Sequence, residues 1–116
     1  MTQQRMRFGM NIYEKLDIWD IYLAEVKFQD RDIWKNRPVL IIEDKITLVI
    51  SLKMTSHSPR EGEYAIKYWK RANLNKPTTV RINKILTLDK SQLIHKIGRL
   101  QAEDIEEIKL LIDDLF

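Results

Sequence analysis

Apolar positions along this chain come in short alternating bursts until about residue 100, and then change period. From Asp17 to Val26 the run DIWDIYLAEV is rich in Ile, Trp, Tyr and Val, which favours a strand. Lys27 to Arg37 is polar and charged around Ile33 and Trp34, and reads as a long loop. Pro38 opens PVLIIE, a strand with a nearly continuous apolar run. Glu43-Asp44-Lys45 reads as a turn, after which ITLVISLKM predicts a strand with Ile46, Leu48, Ile50 and Leu52 on one face. Ser, Pro and Gly gather between Thr55 and Gly62, which marks a loop, and EYAIKYWK then alternates again as a strand. Ala72 to Lys76 is a second connector, and Thr78-Thr79-Val80-Arg81-Ile82 leads into Ile85-Leu86-Thr87-Leu88. Asp89 to Lys96 fits a short helical turn. In the last segment Ile105, Ile108, Leu111, Ile112 and Leu115 fall on one helical face.

Five or six closely spaced short strands before a terminal helix predict a mainly β fold. Its form is a small antiparallel barrel with a short helix and a C-terminal amphipathic helix. At 116 residues the chain is one domain's worth. Residues 1–15 are polar and irregular and read as a leader, partly disordered, and 16–116 as the barrel. The longest unbroken apolar run, Val39-Leu40-Ile41-Ile42, falls far short of a membrane span of ~20 residues. A soluble, cytoplasmic protein with no membrane partner is expected.

Charge sharpens this picture. Residues 1–52 balance eight Lys and Arg against eight acids, residues 53–99 carry eleven against three, and residues 101–116 carry one against six. A basic middle of +8 is the kind of surface that attracts polyanions. The acidic end has a structural explanation, because Glu103, Asp104, Glu106 and Glu107 stand in the first turns of the helix, where its dipole favours anions.

Much chemistry is excluded. There is no Cys, hence no disulfide, thiolate metal site or cysteine nucleophile. His57 and His95 are the only histidines and have no companion at ligand spacing, so neither a metal nor another cofactor is expected. No GxxxxGK[ST] or GxGxxG loop is present to cradle a nucleotide. What remains is Arg, Lys, Thr, Ser, His57 and Asn. That set suits phosphate chemistry on a substrate that brings its own nucleophile, namely RNA with its 2′-hydroxyl.

Four blocks, in order, resemble one family. DIWDIYLAEV followed by Asn36-Arg37-Pro38-Val39-Leu40-Ile41-Ile42 is similar to the opening of the MazF/PemK-like toxins. Leu52-Lys53-Met54-Thr55-Ser56 resembles their apolar strand ending in Thr-Ser, and Leu74-Asn75-Lys76-Pro77-Thr78-Thr79-Val80-Arg81 their Leu-x-Lys-Pro-Ser-x-Val-Arg. Lys96-Ile97-Gly98-Arg99-Leu100 before an acidic helix resembles their closing block. The resemblance implies an SH3-like barrel, a homodimer, and a ribosome-independent endoribonuclease neutralised by an acidic antitoxin. It implies cleavage of single-stranded RNA without metal, through a 2′,3′-cyclic phosphate. Three departures stand out. Leu16 replaces a Gly, the loop before Arg37 lacks the family's glycines, and Ile82-Asn83-Lys84 stands where x-Asp-Gln is usual. Asn83 cannot take up a proton, which opens the alternative of a catalytically impaired barrel that binds an antitoxin or nucleic acid. A gyrase poison of the CcdB kind, sharing the barrel, ends in Trp-Gly-Ile, whereas this chain ends Asp113-Asp114-Leu115-Phe116.

The resemblance assigns catalysis to Arg37 and Thr55. Arg37, held before Pro38, can offer a fork of donors to a phosphate oxygen, and its structural alternative is an ion pair with Asp30 or Asp32. Thr55 can hold a second oxygen, or cap its own strand. His57, two residues on, is the side chain suited to moving protons at neutral pH, unless it is an exposed loop residue only. Arg81, Asn83, Ser56, Lys70 and Arg71 are the expected RNA-binding set, with Trp34 as a stacking platform for a base. Trp69 is expected in the core or at a dimer interface, and His95 in a structural role.

Overall fold

The computed structural model describes residues 15–27 and 32–115. Nearly all of the expected leader, 1–15, lies outside them. Among the described residues six strands run, β1 (Asp20–Lys27), β2 (Trp34–Lys45), β3 (Leu48–Thr55), β4 (Glu63–Ala65), β5 (Thr79–Asp89) and β6 (Leu93–Arg99). A single 3₁₀ turn, Lys90–Gln92, separates β5 from β6, and helix α1 (Ala102–Leu115) ends the chain. Every pairing is antiparallel, in the order β4-β5-β3-β2-β1-β6. The mainly β architecture with its terminal helix is therefore as expected. The barrel is not closed by hydrogen bonds, since β4 and β6 are its two edges.

Both faces of the sheet are buried, which explains the apolar runs. One core gathers Tyr22, Ala24, Val26, Val39, Ile41, Val49, Leu88 and Leu93. The other gathers Ile21, Leu40, Leu52, Met54, Val80, Ile82 and, from α1, Ile108. Consecutive residues such as Val39 and Leu40 thus serve opposite cores, as strands buried on both faces do. The expected one-sided face in β3 is corrected accordingly. Ile46 and Leu48 are exposed, Val49 and Ser51 are buried, and Leu52 and Met54 are buried in the second core on the opposite face from Val49. On α1, Ile108 is fully buried and Ile105, Leu111 and Ile112 pack partly against the second core, whereas Leu115 is exposed.

Local boundaries also moved. The β2–β3 hairpin closes through Ile46-Thr47, with Ile46 at φ 48°, so Glu43-Asp44-Lys45 belongs to the strand. Of the EYAIKYWK stretch only Glu63–Ala65 pairs, and the chain then folds into turns up to residue 73. The helical turn expected over Asp89–Lys96 shrinks to three residues, held by Gln92, whose Oε1 accepts from Asp89 N (2.9 Å) and whose Nε2 donates to Glu25 O (3.0 Å).

The 66–78 connector lies against the β6 edge. Asn73 Nδ2 donates to Ile97 O, and a Cβ on Gly98 would meet Ala72 O at 1.9 Å. Only glycine lets the two backbones approach so closely. From the other side, Asp104 is fully buried and its carboxylate accepts from Tyr64 OH (2.5 Å), Lys67 N (2.9 Å) and Tyr68 N (3.0 Å). The Tyr64 phenol is pushed above its ordinary pKa by burial and by that carboxylate.

A second buried polar contact pins the opposite end of the sheet. Lys90 Nζ lies 2.8 Å from Asp44 Oδ1, and Leu16 N donates to Asp44 Oδ2 at 2.8 Å. Burial raises the Asp44 pKa, but Lys90 and the Leu16 N–H outweigh it and leave the carboxyl below its ordinary value. A carboxyl whose pKa is depressed by folding adds stability above its unfolded value, and that stability fades as pH falls through the folded value. An Asp44→Asn protein is therefore expected to be less stable than wild type at pH 7 by about 1–3 kcal/mol. The gap should narrow below about pH 4, which denaturant unfolding at a series of pH values measures directly.

Candidate functional site

A cleft of about 590 Å³ opens where β2, β3 and β5 meet the 73–78 connector and β6. Its lining includes Arg37 from β2, Lys53 and Thr55 from β3, Ser56 and His57 from the loop after β3, and Arg81 from β5. Five of the nine residues expected from sequence, Arg37, Thr55, Ser56, His57 and Arg81, thus share one wall. Trp34, Lys70, Arg71 and Asn83 do not line it.

The strand register accounts for the gathering. In β3, Lys53 pairs with Val39 of β2 and with Arg81 of β5, and Thr55 pairs with Thr79. Paired residues point to the same face, as do residues two apart in a strand. Arg37 stands one pleat period from Val39, and Thr55 one from Lys53, so a short distance in space joins segments far apart in sequence.

Arg37 is half-buried and precedes Pro38, whose ring fixes the backbone beyond it. Among the described residues it has no carboxylate partner. Asp32 pairs instead with Lys27 at 3.3 Å, and Asp30 lies outside the described residues. Thr55 ends β3, and the loop beyond it is tied down by Thr79, whose hydroxyl donates to His57 O at 2.8 Å. The exposed His57 ring has Nδ1 3.0 Å from Ser58 O. A carbonyl only accepts, so this contact as a hydrogen bond puts the proton on Nδ1 and leaves Nε2 as an acceptor.

Arg81 is anchored rather than solvent-facing. Its Nε donates to Glu63 Oε2 at 2.8 Å, and Arg60 N donates to Glu63 Oε1 at 3.0 Å. The Glu63 side chain is only 2% exposed, and the Arg60 N–H, outweighing burial and aided by Arg81, holds its carboxyl below the ordinary range. Lys53 stands beside Arg81 in the cleft without being one of the residues expected from sequence. Burial, then Arg81, Arg37 and Lys84, lower its pKa. The cleft therefore carries Arg37, Lys53, Lys76 and Arg81 in its lining, with Glu63 bound to Arg81, an arrangement suited to an anion with several oxygens.

The remaining expected residues sit elsewhere. Trp34 is half-exposed at the start of β2, paired with Lys27. Lys70 and Arg71 are exposed on the connector, where Lys70 lies over the Trp69 ring at 5.4 Å and Arg71 over Tyr68 at 5.3 Å. Trp69 itself packs partly against the second core, as expected. Asn83 is exposed in the irregular stretch where β5 shifts register against β3. Conversely, Asn73, Thr78 and His95 line the cleft although sequence pointed to none of them as site residues.

Among the described residues no three His, Asp or Glu side chains gather as a metal site, and no helix is long and apolar enough to cross a membrane. A family model described as PemK-like, MazF-like toxin of type II toxin–antitoxin system matches residues 17–116. The chain belongs to that family. No curated protein matches it in sequence. Solved structures share the fold. The Mycobacterium tuberculosis toxin MazF-mt6 is 24% identical with a TM-score of 0.66, over 82% of this chain and 93% of that one. An endoribonuclease in complex with its cognate antitoxin, from a mycobacterial species, is 15% identical with a TM-score of 0.71, over 86% and 93%. MazE-MazF from Deinococcus radiodurans gives 14%, 0.67, and 86% and 94%. Within this PemK/MazF-like toxin, the resemblance read from Arg37-Pro38 and Thr55-Ser56 falls on cleft residues, and that from Lys76 through Arg81 on its connector and β5.

Proposed function

We propose that this toxin is a sequence-selective endoribonuclease of single-stranded mRNA, acting in the cytoplasm without a metal. The observation that carries this reading is the convergence of Arg37, Thr55, His57 and Arg81 on one cationic cleft in a chain of the MazF-like family. The nucleophile is the substrate's own 2′-hydroxyl. His57 Nε2 takes its proton, the oxygen attacks the adjacent phosphorus, and Arg37 and Thr55 stabilise the charge that builds on the phosphorane oxygens. Arg81, oriented by Glu63, holds a neighbouring phosphate. The products are a 2′,3′-cyclic phosphate and a free 5′-hydroxyl.

The same reading includes a homodimer and an acidic antitoxin whose disordered C-terminal segment folds over the basic cleft. The antitoxin-bound endoribonuclease among the similar folds supports that partner. Both ligands should weaken as salt rises, RNA more steeply, because each neutralised phosphate releases counterions. Fluorescence competition between a short uncleavable RNA and the antitoxin segment tests the shared cleft. Unchanged antitoxin affinity at saturating RNA contradicts it.

Thr55→Ala is expected to slow cleavage by about 10²-fold, the scale of one lost transition-state hydrogen bond. A slowing below about threefold makes Thr55 a strand cap only. The proposal as a whole is tested with labelled single-stranded RNA in EDTA. Cleavage by the wild-type protein is expected. RNA that is bound but never cut, in EDTA or with divalent metal, instead favours the binding module that Asn83 brings to mind.

A further inference from the structure

Cleavage as proposed leaves one proton unassigned. When the 2′-oxygen attacks, the phosphorus–O5′ bond must break, and an alkoxide departs slowly unless it is protonated as it leaves. His57 has taken up a proton in the same step and is not the donor. Arg37 and Arg81 line the cleft, but guanidinium groups hold their protons too tightly to give one up, and Arg81 is in addition bound to Glu63.

Lys53 is placed differently. It is half-buried, and among the described residues it has no carboxylate partner. It stands directly across from Arg81 on β5 and Val39 on β2, with Arg37 one pleat period beyond. Along β3 it shares a face with Thr55, two residues and roughly 7 Å away. His57 follows Thr55 by two residues on the other side. A phosphate held by Thr55 and Arg37 therefore lies in the cleft that His57 and Lys53 also line. In-line displacement calls for two such groups, because the nucleophile and the leaving oxygen occupy opposite sides of phosphorus.

We propose that Lys53 is the general acid of this cleft, giving a proton from Nζ to the departing 5′-oxygen. The inference rests on the cleavage reading above. The 2′-oxygen yields its proton to His57 Nε2 and forms its bond to phosphorus. The P–O5′ bond breaks with its electron pair going to O5′, which takes the Lys53 proton. Imidazolium and neutral amine remain, and exchange with water restores both. The partial burial of Lys53 and its cationic neighbours Arg81, Arg37 and Lys84 ease this proton loss by lowering its pKa.

The test compares two RNAs that differ only in the bridging atom at the mapped cleavage site, 5′-oxygen or 5′-sulfur. A thiolate leaves without a proton. Lys53→Met is expected to slow the oxygen substrate by about 10²–10⁴-fold, the usual range for a lost general acid, while the sulfur substrate, which loses only the contribution of the charge, is slowed far less. Lys53→Arg keeps the charge and is expected to lower kcat similarly with KM little changed. Arg37→Ala, acting on the phosphorane, should slow both substrates. Because the chain has no Cys, Lys53→Cys can be aminoethylated at that one position, and the modified protein should regain the oxygen activity. Equal slowing of both substrates by Lys53→Met, or an unchanged oxygen rate, overturns the assignment. Wild-type protein that cuts neither RNA overturns the cleavage reading instead.

Discussion

An Arg37→Ala protein is expected to lose RNA cleavage by about 10²–10³-fold or more and to melt close to the wild-type temperature. Both halves follow from where the side chain sits. Arg37 lines the cleft, is half-buried, and has no carboxylate partner among the described residues, so truncating it orphans no buried carboxylate among them. The packing of β2 is carried by its neighbours Val39, Leu40 and Ile41, all fully buried. The guanidinium can offer a fork of donors to phosphorane oxygens, where a donor gains most as negative charge develops. Arg37→Lys keeps the charge but not the planar fork, and should fall between wild type and Ala. Cleavage rates and thermal melts on the same preparations check this. Full activity in a folded Arg37→Ala protein removes the residue from the mechanism.

The largest expected loss of stability lies away from the cleft, at Asp104. Its carboxylate, fully buried, receives three donors, the Tyr64 hydroxyl from β4 and the Lys67 and Tyr68 amides from the turn beyond it. Asp104→Ala leaves the Tyr64 hydroxyl and the Lys67 and Tyr68 amides without that acceptor. Each orphaned buried group costs about 1–3 kcal/mol, so a loss on the order of 3–5 kcal/mol is expected. The melting temperature should fall by about 10–20 °C. Asp104→Asn retains the shape and one acceptor oxygen, and should lose less. Because the same connector continues into Asn73 and Thr78 at the cleft, RNA affinity should fall in the Ala variant below its melting point as well. A loss of less than about 1 kcal/mol in denaturant unfolding shows that water replaces the carboxylate there.

Asp104 also marks the limit of what the sequence discloses. An acid in the first turn of a helix has a ready local explanation in the dipole, and nothing in its neighbours foretells partners some forty residues upstream. The strands β1, β2, β3 and β5 were legible because β-branched and aromatic residues cluster there, and the last helix because its period is distinct. The hairpin at Ile46-Thr47 was not, since no Asn-Gly or Asp-Gly announces it and the charged Glu43-Asp44-Lys45 looks more like a turn. In the cleft, Arg37 and Thr55 were found through short motifs that they anchor. Lys53 was overlooked because an isolated Lys in a strand looks like a solvent-facing residue. Only the register, which pairs it with Arg81, makes it part of the site. The i, i+2 spacing from Thr55 was the one signal in sequence that could have drawn attention to it.

In the proposed mechanism RNA supplies the nucleophile and this cleft supplies the charge and the protons. Mass spectrometry of the products from one single-stranded RNA, cut by the wild-type protein in EDTA, tests it most directly. The expected ends are a 2′,3′-cyclic phosphate on the upstream fragment and a 5′-hydroxyl on the downstream one. A 3′-hydroxyl with a 5′-phosphate, or cleavage that requires added divalent metal, contradicts it.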